Sequence, residues 1–115
     1  MSCQTVDFTI RKGDVLPLIE ATLYNNVAGA DTIADLTTAT LIEFLIKPVL
    51  GGALVTRTGS IVGAATLGKV RYSWVSGDTS VAGDFHAYWR VTYPGPKLTT
   101  YPNKTYLLVQ VVESL

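Results

Sequence analysis

Residues Gly83 to Tyr93 alternate in character at every step: Phe85, Ala87, Trp89, Val91 and Tyr93 fall on one side of an extended chain, and His86, Tyr88, Arg90 and Thr92 on the other. A period of two sustained over this length does not fit a helix, whose faces repeat every 3.6 residues. It predicts a strand with one apolar face. Such a strand buries that face only as part of a sheet packed against a second layer.

The same period recurs in shorter stretches punctuated by Gly, Pro, Asn and Asp, which predicts an all-β chain. Val6, Phe8 and Ile10 alternate with Asp7, Thr9 and Arg11 before Lys12-Gly13-Asp14 breaks the run. Leu16-Pro17 then leads into a second strand over Leu18 to Tyr24. Asn25 to Thr38 is rich in Asn, Ala, Gly, Asp and Thr and predicts a long loop, with Asp35-Leu36-Thr37 as a short turn or edge strand. In Thr40 to Lys47, Ile42, Phe44 and Ile46 share one face against Glu43 and Lys47, and Pro48, which cannot donate to a ladder, closes the strand. Leu41 to Leu50 is apolar enough to be read as a helix, but its β-branched and aromatic residues favour the strand.

Gly51-Gly52 turns the chain into Ala53 to Thr58, a weaker strand covers Ser60 to Ala65, and Lys69 to Trp74 sets Val70, Tyr72 and Trp74 against Arg71 and Ser73. Pro94-Gly95-Pro96 marks a turn into the final arm or arms, Lys97 to Tyr101 and Tyr106 to Val112. Seven to eight strands at this spacing predict an antiparallel β-sandwich, with residues 1–115 forming one domain. A chain of this length buries roughly two-thirds of its unfolded surface and can fold alone.

Hydrophobic residues make up 48% of the chain and charged residues 16%, against about 25% charged in ordinary soluble domains. Two inner faces of a small sandwich do not absorb all of that apolar surface. Some is expected at turns, on outer faces or against partners, which points to self-association or docking into an assembly. Nine basic and nine acidic residues leave no net charge, and so no long-range field drawing the chain to nucleic acid or an anionic membrane.

Cys3 is the single cysteine, so neither an internal disulfide nor a cysteine-based zinc site can form. The first residues lack the basic, apolar and small-residue pattern of a secretory signal, and no run approaches the ~20 apolar residues of a membrane span. Synthesis in a cytosol is expected. Asn103-Lys104-Thr105 fits a glycosylation acceptor, but outside the secretory route it reads as a turn.

Signs of catalysis are weak. His86, the one histidine, lies by alternation on the solvent side of its strand, where a surface or interface role is the commoner one. One histidine leaves little choice for a nucleophilic triad. Asp31 with Asp35, or Asp78 with Asp84, could pair as carboxylates or calcium ligands, yet no D-x-[DN]-x-[DN]-G loop is present, and Asp among Gly, Thr and Ser is normally a turn former. Gly51-Gly52 lacks the lysine and helix of a phosphate loop. No cofactor or metal is expected, and the chain reads as a non-enzyme.

The segment Ser76-Gly77-Asp78-Thr79-Ser80-Val81-Ala82-Gly83-Asp84-Phe85-His86-Ala87 resembles the E-to-F corner of immunoglobulin-type domains, with Phe85 where the corner tyrosine stands and Ala87 where the cysteine stands. The resemblance implies an immunoglobulin-like sandwich without the corner hydroxyl bond or the inter-sheet disulfide. A resemblance over almost the whole chain is carried by five segments in order. They are Phe8-Thr9-Ile10-Arg11-Lys12-Gly13-Asp14-Val15-Leu16-Pro17, Gly68-Lys69-Val70-Arg71-Tyr72-Ser73-Trp74, Gly77-Asp78-Thr79, Ala82-Gly83-Asp84-Phe85 and Val91-Thr92-Tyr93-Pro94-Gly95.

Together these resemble the Ig-like N-terminal domain of the baseplate upper proteins of tailed phages. That resemblance implies a non-catalytic virion protein, made in the host cytoplasm, whose partners are other virion structural proteins and further copies of itself. In that family the domain heads a longer chain that attaches receptor-binding parts to the tail. This sequence stops with the domain, at Ser114-Leu115, so a free-standing place in the tail, baseplate or capsid decoration is equally expected.

Six tyrosines and two tryptophans raise the alternative of a small carbohydrate-binding module, since aromatic rings stack on sugars and tyrosine favours interfaces. Alternation sends Tyr72, Trp74, Trp89 and Tyr93 to the core. Tyr24, Tyr88, Tyr101 and Tyr106 are less constrained, and Tyr88 with Arg90 on the outward face of the central strand is the preferred contact patch. The candidate interface is therefore Tyr24, Tyr88, Arg90 and Tyr101.

Overall fold

The alternating stretch Gly83–Tyr93 becomes one strand with those bounds in the computed structural model, and the other elements are arranged around it. The structure describes residues 7–27, 29–75, 77–95, 97–101 and 106–113. Cys3, Val6, Ser76, Pro96 and Asn103-Lys104-Thr105 lie outside the described residues. Among the described residues eleven strands follow in chain order: β1 (Phe8–Arg11), β2 (Ile19–Thr22), β3 (Tyr24–Val27), β4 (Ala30–Ile33), β5 (Leu41–Pro48), β6 (Val55–Thr58), β7 (Ser60–Ile61), β8 (Lys69–Tyr72), β9 (Gly83–Tyr93), β10 (Lys97–Tyr101) and β11 (Leu107–Val112). A 3-10 turn, Ala65–Leu67, separates β7 from β8.

One sheet has the order β1-β11-β9-β5-β6, and a second has β2-β8-β7. Along one edge of β9 runs β5, from Leu41↔Thr92 to Pro48↔Phe85. The other edge is shared by β10, ending at Tyr101↔Trp89, and β11, beginning at Leu107↔Ala87. Pro48 ends β5, where its missing N–H costs least. The inner faces meet at Phe44, whose ring lies 5.1 Å from Tyr72, 4.9 Å from Trp89 and 5.7 Å from Trp74. Val70, Val91, Val109 and Ala87 close around them, all buried.

The fold is thus the expected all-β sandwich, with corrections in detail. Strand pairing is antiparallel except between β1 and β11, which run parallel because the chain enters the first sheet at β1 and crosses to the second at β2. Strands exceed the seven to eight expected, for three local reasons. First, the Asn25–Thr38 loop contains a two-stranded hairpin, β3–β4, with Gly29 in the left-handed region (φ +84°) at its turn. The hairpin shows no apolar alternation because all of β4 is exposed, so ladder hydrogen bonds and not face burial define it.

Second, the expected strand Leu18 to Tyr24 divides at buried Leu23. Its N–H donates to the Gly68 carbonyl at 2.7 Å, and its carbonyl accepts from Ala34 N–H at 2.9 Å. Third, both Lys97–Tyr101 and the following arm pair with β9 as separate strands. The weak strand Ser60 to Ala65 shrinks to Ser60–Ile61. Asp35-Leu36-Thr37 is a turn: the Asp35 carboxylate accepts from the Thr37 hydroxyl and N–H, which holds its pKa below the ordinary carboxylate value, while Leu36 plugs the core.

Candidate functional site

On the outward face of the first sheet, β9 presents His86, Tyr88, Arg90 and Thr92, opposite Lys47, Leu45, Glu43 and Leu41 of β5. Arg90 is committed to Glu43: its Nε and Nη2 each lie 3.0 Å from Oε1, and both side chains are part-buried. It is therefore a fixed ion pair across the strands and less available to a partner than the alternation predicts. Leu45, also on this face, is completely buried, so the outer face is not uniformly polar.

Tyr88 is half-buried, and Tyr106 lies beside it just before β11, with ring centroids 6.0 Å apart. The Tyr106 ring also stacks almost parallel on His86, at 5.2 Å and 11°. These three rings, with Lys47, Pro48, Val49 and Leu54, line a groove of about 370 Å³.

The four candidate residues do not form one patch. Tyr101 is a core residue, with 2% of its surface exposed. Its pairing with Trp89 puts both side chains on the same, inward face, since directly paired residues across a ladder point the same way. The Tyr101 hydroxyl lies 3.2 Å from that of Tyr93, and burial, followed by the Tyr93 hydrogen bond, pushes its pKa well above the ordinary phenol value. Tyr24 is exposed but sits on the separate β3–β4 hairpin, opposite Ile33, away from the sheet that carries Tyr88. Tyr88 and Arg90 alone share a surface, and the structure adds Tyr106, His86 and Lys47 to it.

A second surface, at one end of the sandwich, is assembled by the loops. Pairing of Pro48 with Phe85, and of Arg11 with Val112, brings the ends of β5 and β1 to the start of β9. The β8–β9 loop is held there by two residues, the buried Thr79 and the part-buried Asp78. The Thr79 hydroxyl donates to the Asp14 carbonyl at 2.8 Å and accepts from Gly13 N–H at 3.1 Å. The Asp78 carboxylate accepts from the Tyr72 hydroxyl, from Val75 N–H at 2.9 Å and from the Arg57 guanidinium at 2.9 Å. Burial and this carboxylate together drive the Tyr72 pKa well up, so the hydroxyl stays protonated as donor. The β8–β9 loop is thus tied to β8 by the Tyr72 hydroxyl bond.

On this pinned framework stand Leu16 (66% exposed), Leu50 (fully exposed) and Val81 (65% exposed). Leu50 and Val81, with Pro48, Ala82 and Phe85 and the polar Asp78, Ser80 and Asp84, line a hollow of about 360 Å³. The sequence signal was the apolar surplus together with Val49-Leu50 beside a Gly-Gly turn; alternation carried no sign of it because these residues lie between strands. Among the described residues no three His, Cys, Asp or Glu side chains group to hold a metal ion, and no helix is long and apolar enough to cross a membrane.

Comparison with protein-family models, with curated proteins and with solved structures found no match to this chain.

Proposed function

We propose that the chain is a non-catalytic structural module of a tailed-phage virion, in the tail, baseplate or capsid, that acts through apolar protein–protein contact, including contact with its own copies. The observation that carries this reading is the loop end: Leu50 and Val81 stand exposed around one hollow, beside a β8–β9 loop tied down by the Thr79 and Asp78 hydrogen bonds, with Leu16 exposed as well. A rigid apolar surface loses little conformational freedom when covered, so its burial favours association.

Two further features support the phage, immunoglobulin-like part of the proposal. One is the ordered set of five segments described above. The other is topology: taking β2 as B, β5 as C, β6 as C′, β7 as D, β8 as E, β9 as F and β11 as G, the sheets read G-F-C-C′ and B-E-D, an order in keeping with an immunoglobulin-like sandwich. The edge expected at Thr5 to Arg11 is described only from Asp7 onward; β1 ends its sheet, and among the described residues its outer edge has no strand partner, which would suit pairing with a neighbouring copy.

Light scattering tests the reading. Mass is expected to rise with protein concentration and to stay high when salt is raised, because screening weakens only charge contacts. Leu50→Asp with Val81→Asp should abolish the rise while leaving the melting temperature within about 2–4 °C, since exposed positions contribute little to folding. Dissociation by salt would keep assembly but overturn its apolar cause. A chain that stays monomeric and also fails to bind particles lacking it would sink the proposal. Copy number per particle then separates the locations: hundreds indicate capsid lattice or tail tube, and roughly six to eighteen, from cyclic symmetry, indicate the baseplate.

A further inference from the structure

We propose that the groove beside Tyr88 is a binding site for an acidic saccharide unit, with the sugar ring against Tyr106 and Tyr88 and its carboxylate on Lys47. Three observations converge on this ligand class. The groove, at about 370 Å³, falls within the range of small-ligand sites. Its walls are aromatic, with Tyr106 half-exposed and already aligned on His86, so a flat face is preorganised for stacking. Its one charged side chain is that of Lys47, and among the described residues no carboxylate lines it.

Lys47 forms no ion pair among the described residues, whereas the cations Arg57, Lys69, Arg71 and Arg90 each hold a carboxylate. Glu43, on the same face, is neutralised by Arg90, and Asp84 lines the adjoining hollow toward Val81 and not this groove. An acidic ligand is thus the one that the groove's charge complements.

An extended acidic peptide fits less well. Beneath the groove β9 is paired on both edges, and β5, whose ladder with β6 stops at Ile46, leaves only Lys47 before Pro48, which has no N–H to give, so little ladder is offered to a peptide backbone. Affinity must come from rings and an ammonium group, which suits a compact ring bearing a carboxylate.

The test is an amide NMR titration at fixed ionic strength with tetragalacturonate, maltotetraose as the neutral counterpart and tetraglutamate as the acidic peptide. Saturable shifts around Lys47, His86 and Tyr88 are expected with tetragalacturonate alone. Lys47→Met should weaken binding roughly tenfold or more, the range for losing one charged hydrogen bond. Tyr106→Ala should abolish saturation, while Tyr24→Ala, an exposed tyrosine on the separate β3–β4 hairpin, should leave it unchanged. Absence of saturation with tetragalacturonate overturns the proposal. So does equal affinity for maltotetraose or for tetraglutamate, or a Lys47→Met variant that binds as tightly as the parent.

Discussion

Trp89→Ala is expected to lower the stability of the domain by about 3–5 kcal/mol, the range for truncating a buried aromatic in a core that does not collapse. Trp89 has no exposed surface and sits in the middle of β9, the one strand paired over both halves of its length. Its neighbours are poorly placed to fill the space. Phe44 is held at 4.9 Å by its own contacts with Tyr72 and Trp74. On another side is backbone: a Cβ added at Gly59 would lie 3.1 Å from the indole Cζ3.

The indole N–H has no hydrogen-bond partner among the described residues, so the loss is packing and not a broken hydrogen bond. Tyr88→Ala, one residue away on the half-buried outer face, should cost about 1–2 kcal/mol or less. Denaturant melts of the two variants check the assignment, and equal losses would mean that the faces of β9 are reversed.

Gly68→Ala should cost about 2–4 kcal/mol, from left-handed strain plus a clash that no side-chain rotation relieves. Gly68 ends the 3-10 turn with φ +64° and ψ 18°. A Cβ there would lie 2.7 Å from the Ala34 carbonyl oxygen, 2.9 Å from Ile33 Cγ2 and 3.1 Å from the Leu23 carbonyl oxygen. Those carbonyls belong to the junction that joins β2, the β3–β4 hairpin and β8, where the Gly68 carbonyl accepts from Leu23.

Gly63→Ala supplies the control. Its φ, +69°, is nearly the same, but its added Cβ would meet only Leu67 Cδ1 at 3.8 Å. It should show the conformational cost alone, about 1–2 kcal/mol. Equal melting shifts for the two variants would show that the crowding at Gly68 relaxes freely and that the junction is not a fixed point of the fold.

Legibility of this fold follows how local each signal is. β9 was readable to the residue because its alternation is long enough to define both ends and both faces, and Val70, Tyr72 and Trp74 were readable for the same reason. Tyr101 was not: Lys97–Tyr101 is short and mixed, and its inward face is set by the register to Trp89, a contact twelve residues away in the chain. Leu45 defeats parity differently. It does lie on the outer face, as its position between Phe44 and Ile46 requires, yet it is fully buried, because burial depends on what packs over a face as well as on which way a residue points.

The candidate contact surface divides along the same line. That Tyr88 and Arg90 share a side is a consequence of the two-residue repeat and needs only the chain. That Arg90 is bound by Glu43, that Tyr106 and Lys47 complete a groove, and that Leu50 and Val81 meet around one hollow depends on strand order and loop closure. Periodicity is a property of neighbouring backbone dihedrals, and so it is written in the sequence. Convergence of distant loops depends on which strands pair and in what register, a choice decided by the free energy of the whole packed sandwich.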